Sequence, residues 1–460
     1  MTTPRHRGCV IAGVIAAALF LTGAGWLTWR VYRFAGDVPK VALSLKEEIT
    51  AARREGLPLT PDDLRRSTPI PPDQNAARYL KQLPKALPPS TGESRTAWYD
   101  IQDSIARPDR TSQDRAVAWN YLRRVDPALH LAEAAAKMPA CDFEREWERG
   151  PYLTFPEYAA ARQVARLLSV RAVLYADAGE PKKAFADIRT GMVLARHVGA
   201  DPCLIAMLVR VAIESIMGRT LDRLILEHID DPRFLKEARA AAPSCGPLPD
   251  LEYHMRAEVV MGRVCANLVR KGGRLPDAER TSSAPRQPLG AVLGRRLMTD
   301  AWEARLINYY RSVFRVIRTY KHDPSELSRA LHRLDEQQDA EGQQHPMTHL
   351  LLDIIRPAMA PAPDKITELA ARRAIREGLL QIAEFRQRTG RLPRSAEELG
   401  APLPRDPFSS RPLLYRPTNK GFLLYSVGRN GKDDGGQIPP VGAAGPPPDI
   451  TLIYPYQVRP

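Results

Sequence analysis

The sequence predicts a mainly α-helical protein with an N-terminal transmembrane helix, a helical body with repeat-like hairpins, and a small α+β unit at its C-terminus. Three observations predict this fold class. An uncharged apolar run lies near the start, apolar residues recur every three or four positions through the middle, and short runs of β-forming residues separated by turns close the chain. With 460 residues, 44 % of them hydrophobic, the chain is long enough for two or three domains.

The first element is the apolar run from Cys9 to Trp29, which follows a short tail, residues 1–8. The run has no charged residue and, at ~1.5 Å per residue, is long enough as a helix to cross a ~30 Å hydrocarbon layer. The alternative is a cleaved signal peptide, since small residues precede Gly25. Because the apolar run continues past that point, we expect a retained single-pass anchor.

The orientation of this anchor is left open by the flanking charges. Arg5 and Arg7 precede the run, whereas Arg30, Arg33 and Lys40 follow it. This count mildly favours a cytoplasmic body, because Lys and Arg accumulate on the cytoplasmic side. Long domains are nevertheless translocated regardless of such small differences.

The formal net charge of +14 raises the question of a nucleic-acid partner. The basic residues are spread among acidic ones, as in "DDLRR" and "YLRRVD", and no basic strand carries aromatic residues for base stacking. We therefore expect no nucleic-acid binding. Attraction to anionic lipid headgroups near the anchor is the favoured use of the excess charge.

The five cysteines, at positions 9, 141, 203, 245 and 265, have no zinc-site spacing. The four outside the apolar run are compatible with two disulfides or with small buried side chains. His345 and His349 are four positions apart, but no glutamate lies between them to act as a base, so we expect surface or capping roles.

Motifs for catalysis are lacking: there is no G-x-S-x-G elbow, no phosphate-binding glycine loop and no H-E-x-x-H. We therefore predict a non-catalytic protein. The alternative is a membrane-tethered hydrolase whose site lies in the helical body.

Residues 30–150 are predicted to form a helical linker region and residues 151–360 an α-helical body. Within the body, "VLYADAGEPKKAFADIRTGMVLARHV" has a glycine and a proline that end one helix and begin the next. It resembles a tetratricopeptide-type helical hairpin, with one copy of the repeat in evidence. The residues that carry this resemblance are Tyr175, Gly179, Lys183, Ala184, Asp187 and Ile188.

Residues 365–460 are predicted to form a small α+β unit. Its long helix ends at Gly390, and a short second helix begins after Ser395, with Glu398 at the spacing of a capping box. Turn sequences separate the strands that follow. The predicted strands are Leu413 to Arg416, Phe422 to Val427 and Ile450 to Ile453.

The order of motifs in this unit resembles the C-terminal head of the major pseudopilin of type II secretion systems. The resemblance covers less than a fifth of the chain. The matching residues are Gly390, Leu392, Pro393, Asp406, Pro407, Phe408, Pro412, Tyr415, Tyr425, Ser426, Gly428, Gly431, Asp433, Asp434, Asp449 and Ile450.

The resemblance implies a head on the extracytoplasmic side and a calcium ion bound by Asp433, Asp434 and Asp449. Oxygen ligands on a flexible loop suit calcium. The alternative is a solvated hairpin loop without metal. A long insert, "GGQIPPVGAAGPPP", separates Asp434 from Asp449. Asp449 can be the third ligand only if the chain brings it back to the loop.

The chain also departs from the pseudopilin pattern. That family has a glutamate five residues after its cleaved glycine, whereas the fifth residue after Gly8 is Gly13. More than 300 mostly helical residues separate the apolar run from the head. A genuine pseudopilin is thus an alternative, and we expect instead a bacterial membrane-anchored protein that carries this type of head.

The expected function is protein interaction associated with the bacterial envelope or secretion. The chain would lie in the inner (cytoplasmic) membrane, its body extracytoplasmic, with other envelope proteins as partners. The sequence leaves the oligomeric state open.

Overall fold

The fold was analysed in a computed structural model that describes residues 37–88, 92–273, 289–321, 323–345, 348–349, 361–437 and 449–455. The predicted tail (1–8) and anchor (9–29) lie outside these residues, as does 438–448 of the insert. Among the described residues, none of the helices is both long enough and apolar enough to cross a membrane. The described chain is mainly helical with a small antiparallel sheet at its C-terminal end, which confirms that part of the predicted fold class.

Helices make up most of the described chain. The α-helices are α1 (Val38–Arg54), α2 (Ala77–Leu80), α3 (Leu83–Ala86), α4 (Gly92–Ala106), α5 (Ser112–Arg124), α6 (Asp126–Ala136), α7 (Pro156–Asp177), α8 (Pro181–Val198), α9 (Leu204–Glu227), α10 (Pro232–Ala241), α11 (Leu251–His254), α12 (Arg256–Arg270), α13 (Leu289–Thr319), α14 (Pro324–Gln344) and α15 (Ala362–Thr389). Short 3-10 helices span Pro61–Leu64, Pro72–Gln74, Trp147–Tyr152, Ala242–Cys245 and Ala396–Leu399.

Helices α7 and α8 form the predicted helical hairpin. Gly179 links them with a φ of 73°, a left-handed conformation that glycine adopts without a steric penalty. Ala184 is fully buried, and its small side chain lets the two helices approach closely. A buried ion pair between Arg171 and Asp187 joins the helices further. The hairpin is therefore present, and its relation to tetratricopeptide repeats stays a prediction.

Helices α1, α12, α13 and α14 pack into a second bundle. Helices α1 and α13 run side by side in the same direction: Val38 packs against Ala301 at one end, and Glu55 pairs with Arg311 further along. The aromatic side chains Tyr310 and Phe314 of α13 fill the centre of this bundle.

The C-terminal unit consists of α15 and a three-stranded antiparallel sheet in the order β1 (Leu414–Thr418), β2 (Gly421–Ser426), β3 (Ile450–Tyr454). Each strand lies within two residues of its predicted bounds. Phe422 and Leu424 of the central strand are fully buried in an apolar core that also contains Leu379 of α15. The short helix after Ser395 is a 3-10 turn, and the predicted capping box is wrong: Glu398 accepts instead from the Arg394 N–H at 2.8 Å.

The C-terminal unit shares its core with the helical body. Helix α15 packs against α9 and α10, and one apolar cluster includes residues of the hairpin, α15 and the sheet. Two ion pairs, Arg373 with Glu214 and Arg376 with Asp222, cross the contact between α15 and α9. Tests on this unit therefore call for the whole chain.

The four described cysteines are free thiols. Cys141, Cys203 and Cys245 are buried and Cys265 is half-buried. Of the two alternatives left open by the sequence, the structure shows small buried side chains without disulfides.

Candidate metal site at the C-terminal loop

The candidate site is the loop that follows β2, residues 427–437, together with the residue that precedes β3. Gly428 and Gly431 have φ values of 63° and 68°, so the chain turns back twice at positions where other residues are strained. The loop can therefore coil closely beside the end of the sheet. Its acidic residues lie on this coiled segment.

Asp406 holds the start of the loop in place by hydrogen bonds. It is 1 % exposed, and its carboxylate accepts hydrogen bonds from the Ser426 hydroxyl at 2.8 Å and the Val427 N–H at 3.0 Å. The same carboxylate accepts from the Phe408 N–H at 3.0 Å. Sequence reasoning placed Asp406 in the family motif without assigning it a role, and the structure shows that it connects two segments of the motif.

Asp433 and Asp434 are held by neighbours within the loop. Asp433 Oδ1 accepts from the Tyr425 hydroxyl at 3.0 Å and the Gly435 N–H at 2.9 Å. Asp434 Oδ2 accepts from the Asn430 side-chain amide at 2.7 Å. Burial, together with the Asp433 charge, raises the pKa of Tyr425 to about 12. Tyr425 therefore remains a hydrogen-bond donor to Asp433 at neutral pH.

Asp449 returns to the loop in spite of the long insert. The pairing of Ser426 with Ile450 brings the start of β3 beside the end of β2. Asp449 Oδ2 then accepts from the Gly436 N–H at 2.8 Å. Its Oδ1 is buried and has no hydrogen-bond partner among the described residues. The third predicted ligand thus lies at the loop with one oxygen unsatisfied.

Electrostatics also connect the three acids. Burial raises the pKa of the Asp449 carboxyl, and the negative charges of Asp434 and Asp433 raise it further. The N–H groups of Gly436 and Asp434 act in the opposite direction. The charges of all three predicted residues therefore interact, and a bound cation would relieve their repulsion.

The carboxylate oxygens of the three aspartates suit a hard cation. These side chains alone do not surround a metal ion. In the described part of the chain, no group of three or more His, Cys, Asp or Glu side chains is arranged to hold a metal ion. Calcium is also bound by backbone carbonyls and water. The unsatisfied Oδ1 of Asp449 is the feature that fits calcium, whose coordination would then include carbonyl oxygens of the loop.

The loop is joined to α15, and through α15 to α14, by contacts that the sequence did not predict. Arg429 forms an ion pair with Asp364 of α15, whose side chain is 2 % exposed. Ser328 of α14 donates its hydroxyl to the same carboxylate. The only signal in the sequence was an arginine in a loop of small residues, and such a signal does not identify a partner 65 positions away.

The two histidines of the body have different surroundings. His345 Nδ1 lies 3.2 Å from Asp37 Oδ2, and His345 follows the last residue of α14 as a cap. His349 is fully buried, with Nδ1 3.1 Å from the His345 carbonyl oxygen. The predicted surface or capping role therefore holds for His345, and the surface role is wrong for His349.

A small cavity lies between α11, α13, α14 and α15. It has a volume of about 20 Å³ and is lined by His332 and Asp335 among apolar side chains. Tyr309 donates to Asp335 Oδ1 at 3.0 Å. A space of this volume holds about one water molecule. The hydrolase alternative stays a prediction that this cavity does not test.

Comparison of the chain with protein-family models, with curated proteins and with solved structures finds no match. The resemblances to pseudopilin heads and tetratricopeptide hairpins therefore depend on the residues quoted for them.

Proposed function

We propose that this chain is a single-pass bacterial membrane protein that acts by binding other envelope proteins, through a helical body and a calcium-binding, pseudopilin-like head. Body and head lie on the extracytoplasmic side of the inner membrane. The anchor is the apolar run at residues 9–29. The head's metal ligands are Asp433, Asp434 and Asp449.

The observation that carries the proposal is the arrangement around Asp449. A long insert separates this residue from the loop in sequence, yet its carboxylate contacts Gly436 and carries a buried oxygen without a described partner. Buried carboxylates are costly unless a cation or hydrogen bonds compensate their charge. A calcium ion supplies that compensation, with Asp433 and Asp434 beside it.

A network between the motif residues gives further support. Asp406 accepts from Ser426, and the Tyr415 hydroxyl donates to the Pro393 carbonyl at 2.7 Å. Residues that are scattered along the motif thus make direct contacts. This is expected if the motif describes one folding unit.

The test is thermal unfolding of the full chain in detergent, with calcium and with chelator. An ion that binds only the folded protein stabilises it by RT ln(1 + [L]/Kd), about 2.7 kcal/mol at a hundredfold excess over Kd. We expect calcium to raise Tm and Asp434→Ala to abolish the rise. Glu397→Ala, at an exposed acid of the same unit, is the matched control and should keep the full response.

Equal Tm values in calcium and chelator would contradict the metal proposal. The loop would then be a hairpin whose carboxylates are satisfied by water. A rise in Tm that survives Asp434→Ala would place the ion elsewhere. Calorimetric titration with calcium would separate these two outcomes.

A further inference from the structure

One end of the bundle formed by α1, α12, α13 and α14 is the place where the described chain begins. Val38 and Ala42 of α1 pack against Ala301 of α13. Asp37 contacts the end of α14 through His345, at 3.2 Å. The chain therefore enters this end of the bundle directly from residues 1–36.

Three acidic groups at this end are paired within the bundle. Asp300 accepts from Arg270 Nε at 2.8 Å, which also places the end of α12 here. Glu303 accepts from Arg263 Nε at 2.7 Å. Asp37 lies 3.6 Å from Arg305. These three acids therefore add little net negative charge to the surface.

Three cations at the same end are exposed and form no ion pair with a described residue. Lys40 lies in the first turn of α1, Lys271 directly follows α12, and Arg296 lies one turn before Asp300 on α13. Their positive charge faces solvent without an acidic partner in the described chain. An anionic surface is the complementary partner.

Two exposed leucines lie beside these cations. Leu43 is 80 % exposed, one turn after Lys40 on the same helix. Leu297 is 37 % exposed and adjoins Arg296. Exposed apolar side chains next to lysine and arginine are typical of surfaces that lie in the membrane interface.

We propose that this surface, the basal face (Lys40, Leu43, Lys271, Arg296 and Leu297), docks on the headgroups of an anionic bilayer. The inference rests on the proposed anchor at residues 9–29. The eight residues between Trp29 and Val38 span at most about 30 Å. The basal face is thus held close to the membrane, and its charge and leucines orient the body on it.

The test uses the full chain, reconstituted into phosphatidylcholine vesicles with or without phosphatidylglycerol. A fluorophore on Leu43→Cys reports quenching by a spin label on lipid headgroups, and the parent chain with Leu43 gives the background labelling. We expect strong quenching only with phosphatidylglycerol. Each cation near an anionic surface should change the ratio of docked to undocked molecules about fivefold, and high salt should weaken quenching.

The charge variant combines Lys40→Glu, Lys271→Glu and Arg296→Glu and should abolish the dependence on phosphatidylglycerol. The matched control combines Arg124→Glu, Lys182→Glu and Lys236→Glu. These residues are exposed on α5, α8 and α10, outside this bundle, and the control should behave as the parent chain.

Several outcomes would overturn the inference. Equal quenching in both lipids, or loss of quenching in the control as well, would show that charge at the basal face does not direct docking. Shielding of the fluorophore in lipid-free detergent would show that a second copy of the chain covers this face. If the chain stays on the vesicles during alkaline washing but the fluorophore is not quenched, docking of the basal face is rejected and the anchor is retained. If alkaline washing removes the chain from all vesicles, the anchor itself is rejected.

Discussion

Buried carboxylates have different partners in the helical body and in the C-terminal loop. In the body, Asp187 accepts hydrogen bonds from Arg171 at 2.9 and 2.5 Å, and Asp201 accepts from Arg145 at 2.7 Å. In the loop, Asp449 is also shielded from solvent, at 3 % exposed, yet its described hydrogen-bond partners are backbone N–H groups. At both of these positions an arginine of the body compensates the charge of the buried acid.

This contrast separates structural acids from candidate ligands. Even with Arg171 beside it, burial raises the pKa of Asp187 to about 6, which shows the cost of removing a carboxylate from water. Burial also raises the pKa of the Asp449 carboxyl, and no described cation pairs with it. A buried acid paired with arginine needs no ligand, whereas a buried acid with an unsatisfied oxygen has a use for one.

The largest expected effect is in the body, for Arg145→Ala. Arg145 contacts Asp201 and Glu157, and its guanidinium carbon lies 4.4 Å from the centre of the Phe143 ring. Its removal leaves two buried carboxylates without a cation, so we expect a loss of about 3–5 kcal/mol in the free energy of unfolding. Urea unfolding followed by circular dichroism measures this loss.

Arg65→Ala is the matched control for Arg145→Ala. Arg65 pairs with Glu148, and both side chains are half-exposed. Such a surface pair contributes less than about 1 kcal/mol. Similar losses for the two variants would show that the buried network in the body is no more important than a surface ion pair.

The next effect concerns His197, a buried titratable group of the body that is 4 % exposed. Burial, reinforced by Arg196, lowers the pKa of His197 from 6.5 to about 4. The unfolded state then binds a proton at higher pH than the folded state. The contribution of neutral His197 to the free energy of unfolding is therefore fully present above pH 6.5. It is lost as the pH falls toward 4, and the loss reaches about 3 kcal/mol.

His197→Gln should remove this part of the pH dependence. Urea unfolding between pH 7 and pH 4 would give a flatter profile for the variant than for the parent chain. His130→Gln, at a histidine whose side chain is 68 % exposed, is the control and should leave the profile unchanged. Parallel profiles for His197→Gln and the parent chain would contradict the assignment.

Local features of the fold could be predicted because their signals are local. The strands follow runs of β-forming residues, and the hairpin follows Gly179 and the small Ala184. Helix and strand periodicities depend on neighbours along the chain. For this reason the three strands were predicted within two residues of their observed bounds.

Contacts between distant positions could not be predicted. Glu48 of α1 pairs with Arg311 of α13, 263 positions away, and nothing in either helix specifies the other. The position of Asp449 depends on the register of β2 with β3 across the insert. The resemblance in the sequence therefore points to the acids of the candidate site. The electrostatic interactions among these acids depend on how the chain packs, and the sequence does not predict them.

The smallest expected effect is that of Asp449→Asn on the free energy of unfolding, measured in chelator. This variant tests directly whether Asp449 differs from the buried acids of the body. The substitution removes a buried charge and its repulsion by Asp434 and Asp433, and the amide oxygen can still accept from Gly436. We expect the free energy of unfolding to rise by ~0.5–1 kcal/mol at neutral pH, and the stabilising effect of calcium to disappear.

The pH dependence of the same variant has a definite sign. Because the folded pKa of Asp449 is raised, the folded parent chain holds this proton more tightly than the unfolded chain. In chelator, the parent chain therefore gains stability from this group as pH falls through its folded pKa, and Asp449→Asn lacks that gain. Asp187→Asn should instead lose stability, since it leaves Arg171 buried without its full counter-charge. If Asp449→Asn loses as much stability as Asp187→Asn in chelator, the Asp449 carboxylate is a structural group like those of the body, and the loop has no need of a cation.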